Sequence, residues 1–270
     1  MKKAVYTVVS IDCLYIFIRA VASLLYATPV ISIAVKYAAF VIPLLVFLVI
    51  CRRGCVECGS VNAFPDRRGF AVTLTMIAPA LFIVMGISLL TTLLMQLAGG
   101  KSAMPEYVFF DGFMLHALLP SVCEELVFRF VPLLVIAPHS KKSAVLISTL
   151  LFAFVHGDPY QIPYAFVAGL IYMTLDVATE SVAPSIILHL CNNSVALLWQ
   201  GTIQPSGNGF TAILIIAALA LMSVAVAVLI RRSYARLFGF VLDRADRVDV
   251  PVILVAPIGI GFIISFVSFL

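Results

Sequence analysis

Residues 29–50 read PVISIAVKYAAFVIPLLVFLVI, an apolar run broken by one charge, Lys36. As a helix this run rises about 33 Å, enough to cross a hydrocarbon core about 30 Å thick. Comparable stretches lie at 5–27, 70–98, 107–137, 144–157, 160–178, 182–200, 210–230 and 250–269. The stretch 107–137 is too long for one simple span and contains Asp111, Gly112 and Pro120, which predicts a tilted or broken helix. The stretch 144–157 is short and must borrow from 138–143 to cross. The expected fold is an all-α polytopic membrane protein, a bundle of eight or nine transmembrane helices.

Composition agrees. Of 270 residues, 63% are hydrophobic and 11% charged. A soluble domain carries about 45–50% apolar and about 25% charged residues. Disorder, nucleic-acid binding and a secreted disulfide scaffold are excluded on the same grounds. Three regions are expected: N-terminal helices in 1–106 with a basic loop at 51–69, a core at 107–200, and C-terminal helices in 201–270 with a basic loop at 231–249. The polar loops are too short to fold alone.

The net charge of +4 matters less than its placement. With the N-terminus in the cytoplasm, nine crossings put Lys2, Lys3, Arg52, Arg53, Arg67, Arg68, Lys141, Lys142, Arg231, Arg232, Arg236, Arg244 and Arg247 on the cytoplasmic side. Only Lys101 falls in an outer loop, and Arg19, Lys36 and Arg129 lie within spans. That asymmetry satisfies the positive-inside rule and predicts a multi-pass protein of the cell membrane. Asp12 and Arg19 interrupt the first apolar stretch, which therefore reads as a retained span rather than a cleaved leader.

Cys13, Cys123 and Cys191 are scattered through spans and read as packing residues. Cys51, Cys55 and Cys58 cluster in the first basic loop, where a fourth zinc ligand is not evident, and a reduced juxtamembrane thiol group is the simpler reading.

Ionisable groups within a span cost at least about 2.5–3.5 kcal/mol each on the insertion scale and require an explanation. The richest group is Glu124-Glu125-Leu126-Val127-Phe128-Arg129. Arg129 follows Glu125 by one helical turn and can neutralise it. Glu124 points about 100° away and has no local partner, which suits a carboxyl that both takes and gives a proton. His156 closes the short span, and His189 shares a helical face with Asn193, while Asn192 is displaced from it. Converging, Glu124, His156, His189 and Asn193 could activate a water and stabilise the oxyanion of amide hydrolysis. Singly, a His or Asn here is better explained as a helix-packing hydrogen bonder, whereas the whole set in one apolar chain is not.

The order and spacing also carry a resemblance. Glu124 to Arg129 fits EExxxR, Phe152 to His156 fits FxxxH, and His189 to Asn193 fits HxxxN. Over about residues 107–200 the chain resembles the CPBP family of intramembrane proteases, also called the Abi or CAAX-protease family. Its members include the Ras-converting CAAX endopeptidase. The resemblance implies a site inside a helical bundle, with Glu124 the general base assisted by His156, His189 and Asn193 at the oxyanion, and Glu125 and Arg129 in support. A zinc-dependent variant would use Glu124, His156 and His189. The metal-free glutamate mechanism is preferred, because no HExxH or third strong ligand is present, so no cofactor is expected. The implied partner is a membrane-associated peptide or protein substrate within the bilayer. The rival reading is a non-catalytic immunity or scaffold protein, or a small-molecule transporter with a buried polar site, although no inverted repeat supports a transporter. The natural substrate and the oligomeric state are not readable from the sequence.

Overall fold

A computed structural model describes residues 1–24, 29–97, 112–202, 218, 221, 239–243 and 245–248. The first three apolar stretches each form one helix: α1 (Lys2–Leu24), α2 (Pro29–Arg52) and α3 (Arg67–Leu97). After them come α4 (residues 113–135), α5 (Lys141–Val155), α6 (Ile162–Thr179), α7 (Ala183–Thr202) and the short α8 (Gly239–Leu242). Among the described residues no strand forms, and a single bridge joins Asn62 to Ser181. Four helical segments among them are long and apolar enough to cross a membrane: Lys2–Val21, Ala34–Arg52, Arg67–Leu94 and Ile162–Thr179. The chain is an all-α membrane protein. The spans expected at 210–230 and 250–269 lie outside the described residues, apart from positions 218 and 221.

The apolar residues divide between core and lipid. On α2, Ala39, Phe40 and Phe47 are buried, whereas Ile42, Leu45 and Val49 are exposed. Phe17, Leu74 and Leu94 are likewise exposed, an arrangement that an aqueous surface would penalise and a lipid one rewards. One buried cluster joins α1, α2, α4, α5 and α6 through residues such as Val5, Phe47, Phe128, Phe152 and Met173. A second joins α3 to α6 and α7 through Val72, Val84, Tyr172 and Leu188. Gly169 of α6 lets α5 approach closely, since a Cβ there would stand 3.2 Å from Thr149 Cα.

α4 packs against α1, α2, α5 and α7, and it is irregular as its sequence predicts. It consists of a π turn at Phe113–Leu118, an α stretch at Leu119–Glu125, a second π turn at Leu126–Phe130 and an α stretch at Val131–Val135. Each π turn is followed, after one intervening residue, by a proline, Pro120 and Pro132. Proline has no N–H to give the carbonyl four residues back, and its ring crowds that carbonyl. The freed carbonyls find partners from neighbouring helices. Ahead of Pro120 the register has already slipped, Leu119 N–H donating to Met114 O instead of Leu115 O, and Leu115 O, five residues before a proline that has no N–H to give it, accepts from the Tyr37 hydroxyl of α2 at 3.1 Å. The carbonyl of Phe128, deprived by Pro132, accepts from Ser148 Oγ of α5 at 2.5 Å. Backbone that departs from the α pattern inside a membrane is tolerated on this condition.

The ends of the helices gather polar groups on one face. Gly59 N–H donates to Leu134 O and Asn62 N–H to Glu180 O, each at 2.8 Å. Lys141 pairs with Glu180 at 3.6 Å, and Ser140 donates to Asp246 Oδ1 at 2.5 Å. The loop after α2, the α4–α5 turn, the α6–α7 turn and the segment after α8 therefore lie together.

Candidate active site

Glu124 and Glu125 sit on the α stretch between the two π turns. Glu125 is fully buried and so is Arg129, whose Nε stands 3.3 Å from Glu125 Oε2. Arg129 is held further by Nη1 donation to Ser148 Oγ at 3.3 Å and to Phe128 O at 3.4 Å. Its guanidinium carbon lies 4.1 Å from the centroid of the Phe152 ring, where a cation is attracted by the ring face. The expected one-turn ion pair is present.

His189 enters from α7 and contacts both glutamates. Its Nδ1 donates to Glu125 Oε1 at 2.7 Å, while Nε2 stands 4.0 Å from Glu124 Oε2. A carboxylate only accepts, so this contact places the proton on Nδ1 and turns Nε2 toward Glu124. Glu124 keeps 19% of its side chain accessible, against none for Glu125. The two adjacent acids thus occupy different environments: one is sealed and neutralised, the other opens beside an imidazole.

The remaining positions are close by. His156, at the end of α5, donates from Nδ1 to Phe152 O at 2.7 Å and packs edge-on against the Phe152 ring at 4.8 Å. The same ring meets His189 edge-on at 5.8 Å, so Phe152 is wedged between the two imidazoles. Asn193, one turn after His189, donates from Nδ2 to Ser121 Oγ at 3.5 Å, which brings α7 onto the turn preceding Glu124. Asn192, expected to face away, lies with its Nδ2 3.5 Å from Asn193 Oδ1. With 15 residues, α5 rises only about 22 Å, short of a bilayer core about 30 Å thick. His156 at its far end is therefore inside the membrane when Lys141 is at the surface.

Several contributors carry no motif signal. Asp176 of α6 is fully buried and accepts the Ser185 N–H at 3.0 Å, fixing the first turn of α7 one turn before His189. Ser148 and Tyr172, whose ring centroid is 5.9 Å from that of His189, also belong to the surroundings. Arg19 Nη1 donates to Tyr15 Oη at 3.2 Å and to Val155 O at 3.5 Å, beside His156. Lys36, unexplained by the sequence pattern, is within electrostatic reach of Glu124 and Arg19. Asp12 is buried, and its Oδ1 has no hydrogen-bond partner among the described residues; nothing in the structure explains it. Among the described residues no three His, Cys, Asp or Glu side chains are placed to share a metal ion, the set Glu124, His156 and His189 included.

Comparison with known proteins adds one finding. Residues 106–195 match the family model described as type II CAAX prenyl endopeptidase Rce1-like, which takes in Glu124, Glu125, Arg129, His156, His189 and Asn193. Neither a curated protein nor a solved structure matches the chain. The motifs, their gathering around one buried site and this match agree: the chain is a membrane protein that carries an Rce1-like domain over residues 106–195, and in that domain it resembles the CAAX-type proteases.

Proposed function

We propose that the protein is an intramembrane endopeptidase that hydrolyses peptide bonds of membrane-associated peptides or proteins through a glutamate-activated water. The observation that carries this reading is the two-sided contact of His189, with Nδ1 on buried Glu125 and Nε2 facing accessible Glu124. In the proposed reaction Glu124 takes a proton from water and the resulting hydroxide attacks the scissile carbonyl carbon. His189, entering the step as an imidazolium with Nδ1–H on Glu125 and a second proton on Nε2, donates from Nε2 to the oxyanion together with Asn193 Nδ2, and it keeps both protons throughout. The tetrahedral intermediate collapses as Glu124 returns its proton to the departing amine nitrogen. His156, with Nδ1 committed to Phe152 O, offers Nε2 to hold the water near Glu124. Glu125 and Arg129 orient His189, as a buried carboxylate orients the imidazole of a catalytic triad.

The reaction is written without a metal, the route preferred because the sequence holds no HExxH and no third strong ligand. The site is assigned to a multi-pass protein of the cell membrane with its N-terminus in the cytoplasm. Cleavage of a membrane-tethered peptide reporter by purified, zinc-free protein tests the reading. Glu124→Gln is expected to lower the rate about 10²–10⁴-fold, the range for a lost general base. Asn193→Ala is expected to cost about 10²–10³-fold, as for an oxyanion donor. Full activity in Glu124→Gln removes that residue from the chemistry, and activity that returns only with added zinc removes the metal-free route.

A further inference from the structure

The cysteine cluster after α2 has no part in the proposed hydrolysis, yet the fold brings two of its thiols together. At the end of α2, Gly54 N–H donates to Cys51 O at 2.9 Å and Cys55 N–H to Ile50 O at 3.1 Å. This pair of bonds is a Schellman cap, and it needs the left-handed conformation that Gly54 adopts at φ 67°. The cap reverses the chain, so that Cys58 Sγ returns to 2.6 Å from Cys51 Sγ. Cys51 is partly buried against the core cluster, whereas Cys58 is exposed, and both are free thiols. Cys55 is exposed on the same loop and makes no such contact among the described residues.

The chain after Cys58 is a strap tied to the elements that carry the site. Gly59 is bonded to Leu134 at the end of α4, and Asn62 to Glu180 in the α6–α7 turn. Ser181 Oγ donates to Ala63 O at 3.3 Å, and Asp66 Oδ1 accepts from Gly69 N–H at 2.7 Å to start α3. The strap thus spans the ends of the helix bearing Glu124 and of the turn leading to His189.

We propose that Cys51 and Cys58 are a redox-active dithiol, closed by a small-molecule disulfide such as glutathione disulfide, and that closure steadies the strap across α4 and the α6–α7 turn. The exposed Cys58 thiolate attacks one sulfur of glutathione disulfide, forming a mixed disulfide and releasing one glutathione thiolate. Cys51, as thiolate, then attacks Cys58 Sγ and expels the second glutathione. Two protein thiols lose two electrons and two protons, and one glutathione disulfide becomes two glutathiones. In a reducing compartment such a pair stays open at rest and closes under oxidative load.

The test uses full-length protein in detergent, reduced, freed of reductant and then exposed to glutathione disulfide. Remaining thiols are capped with N-ethylmaleimide and the linked peptides are read by mass spectrometry. A Cys51–Cys58 cross-link is expected in the wild type and in Cys55→Ser. Cys51→Ser is expected to stop at a glutathione adduct on Cys58. Amide exchange over residues 59–63 is expected to slow on closure. Pairing through Cys55, thiols that stay free in glutathione disulfide, or thiols masked by bound zinc until a chelator is added would each overturn the dithiol. Closure with unchanged exchange over 59–63 would overturn its coupling to the strap. Because wild-type protein supplies the deciding cross-link, a misfolded variant does not rescue the idea.

Discussion

Glu124 and Glu125 are identical side chains with different surroundings, and the proposed mechanism divides the work between them accordingly. Glu125 is enclosed with Arg129 and His189, so its charge is compensated twice. Removing one member of a buried pair leaves the other uncompensated, at a cost of about 3–5 kcal/mol. Glu125→Gln is therefore expected to lower the unfolding midpoint in detergent and to lower activity through His189. Adding Arg129→Met should recover most of the stability, because no lone buried cation remains, while activity stays low. A midpoint in Glu125→Gln equal to that of the wild type would show that the pair is not buried as described. Glu124→Gln, at an accessible position beside His189, is expected to leave the midpoint within about 0.5 kcal/mol of the wild type in stability. The Glu125–Arg129 pairing could be read from a spacing of one helical turn. That His189 would take Glu125 on one ring nitrogen and face Glu124 with the other could not, since 64 residues separate His189 from Glu125 and only the packing of α7 on α4 joins them.

At the scale of elements, the apolar runs that became α1, α2 and α3 were plain in the sequence because twenty or more apolar residues leave a helix as the one way to satisfy the backbone in lipid. The stretch 107–137 was readable as irregular but not in its manner. Hydropathy reports which residues prefer lipid and says nothing about which carbonyl an N–H selects. The prolines gave the signal: Pro120 was noted, and Pro132 acts the same way. Partners for the freed carbonyls, Tyr37 and Ser148, come from other helices, and neither lies in a motif. This account of α4 can be tested by restoring what the proline removed. Ser148→Ala leaves Phe128 O with only the longer Arg129 Nη1 contact and takes an acceptor from that guanidinium, and it is expected to cost about 1–3 kcal/mol, as for buried polar groups left under-satisfied. Pro132→Ala in that background returns a backbone N–H for the same carbonyl. It should recover part of the loss, whereas Pro132→Ala alone should gain less. Equal effects of Pro132→Ala in both backgrounds, measured by denaturation, would separate the π turn from the proline.

At the scale of the whole molecule, the alternation of basic loops predicted a single charged face, and the described residues assemble one. The loop carrying Arg52 and Arg53, the start of α3 at Arg67, the start of α5 at Lys141 and the segment carrying Asp246 and Arg247 are joined by the strap, the Lys141–Glu180 pair and the Ser140–Asp246 bond. A face so rich in Lys and Arg is retained on the cytoplasmic side during insertion, because cations near span ends resist translocation. The expected orientation then puts the strap cysteines on the cytoplasmic side, which is testable. In intact cells expressing a variant that keeps Cys55 alone, the other five cysteines changed to Ser, a membrane-impermeant maleimide is expected to leave the protein unlabelled until the membrane is permeabilised. Labelling of intact cells would place this face outside and invert the orientation. It would also put the Cys51–Cys58 pair in an oxidising compartment, where a disulfide would be structural rather than switched.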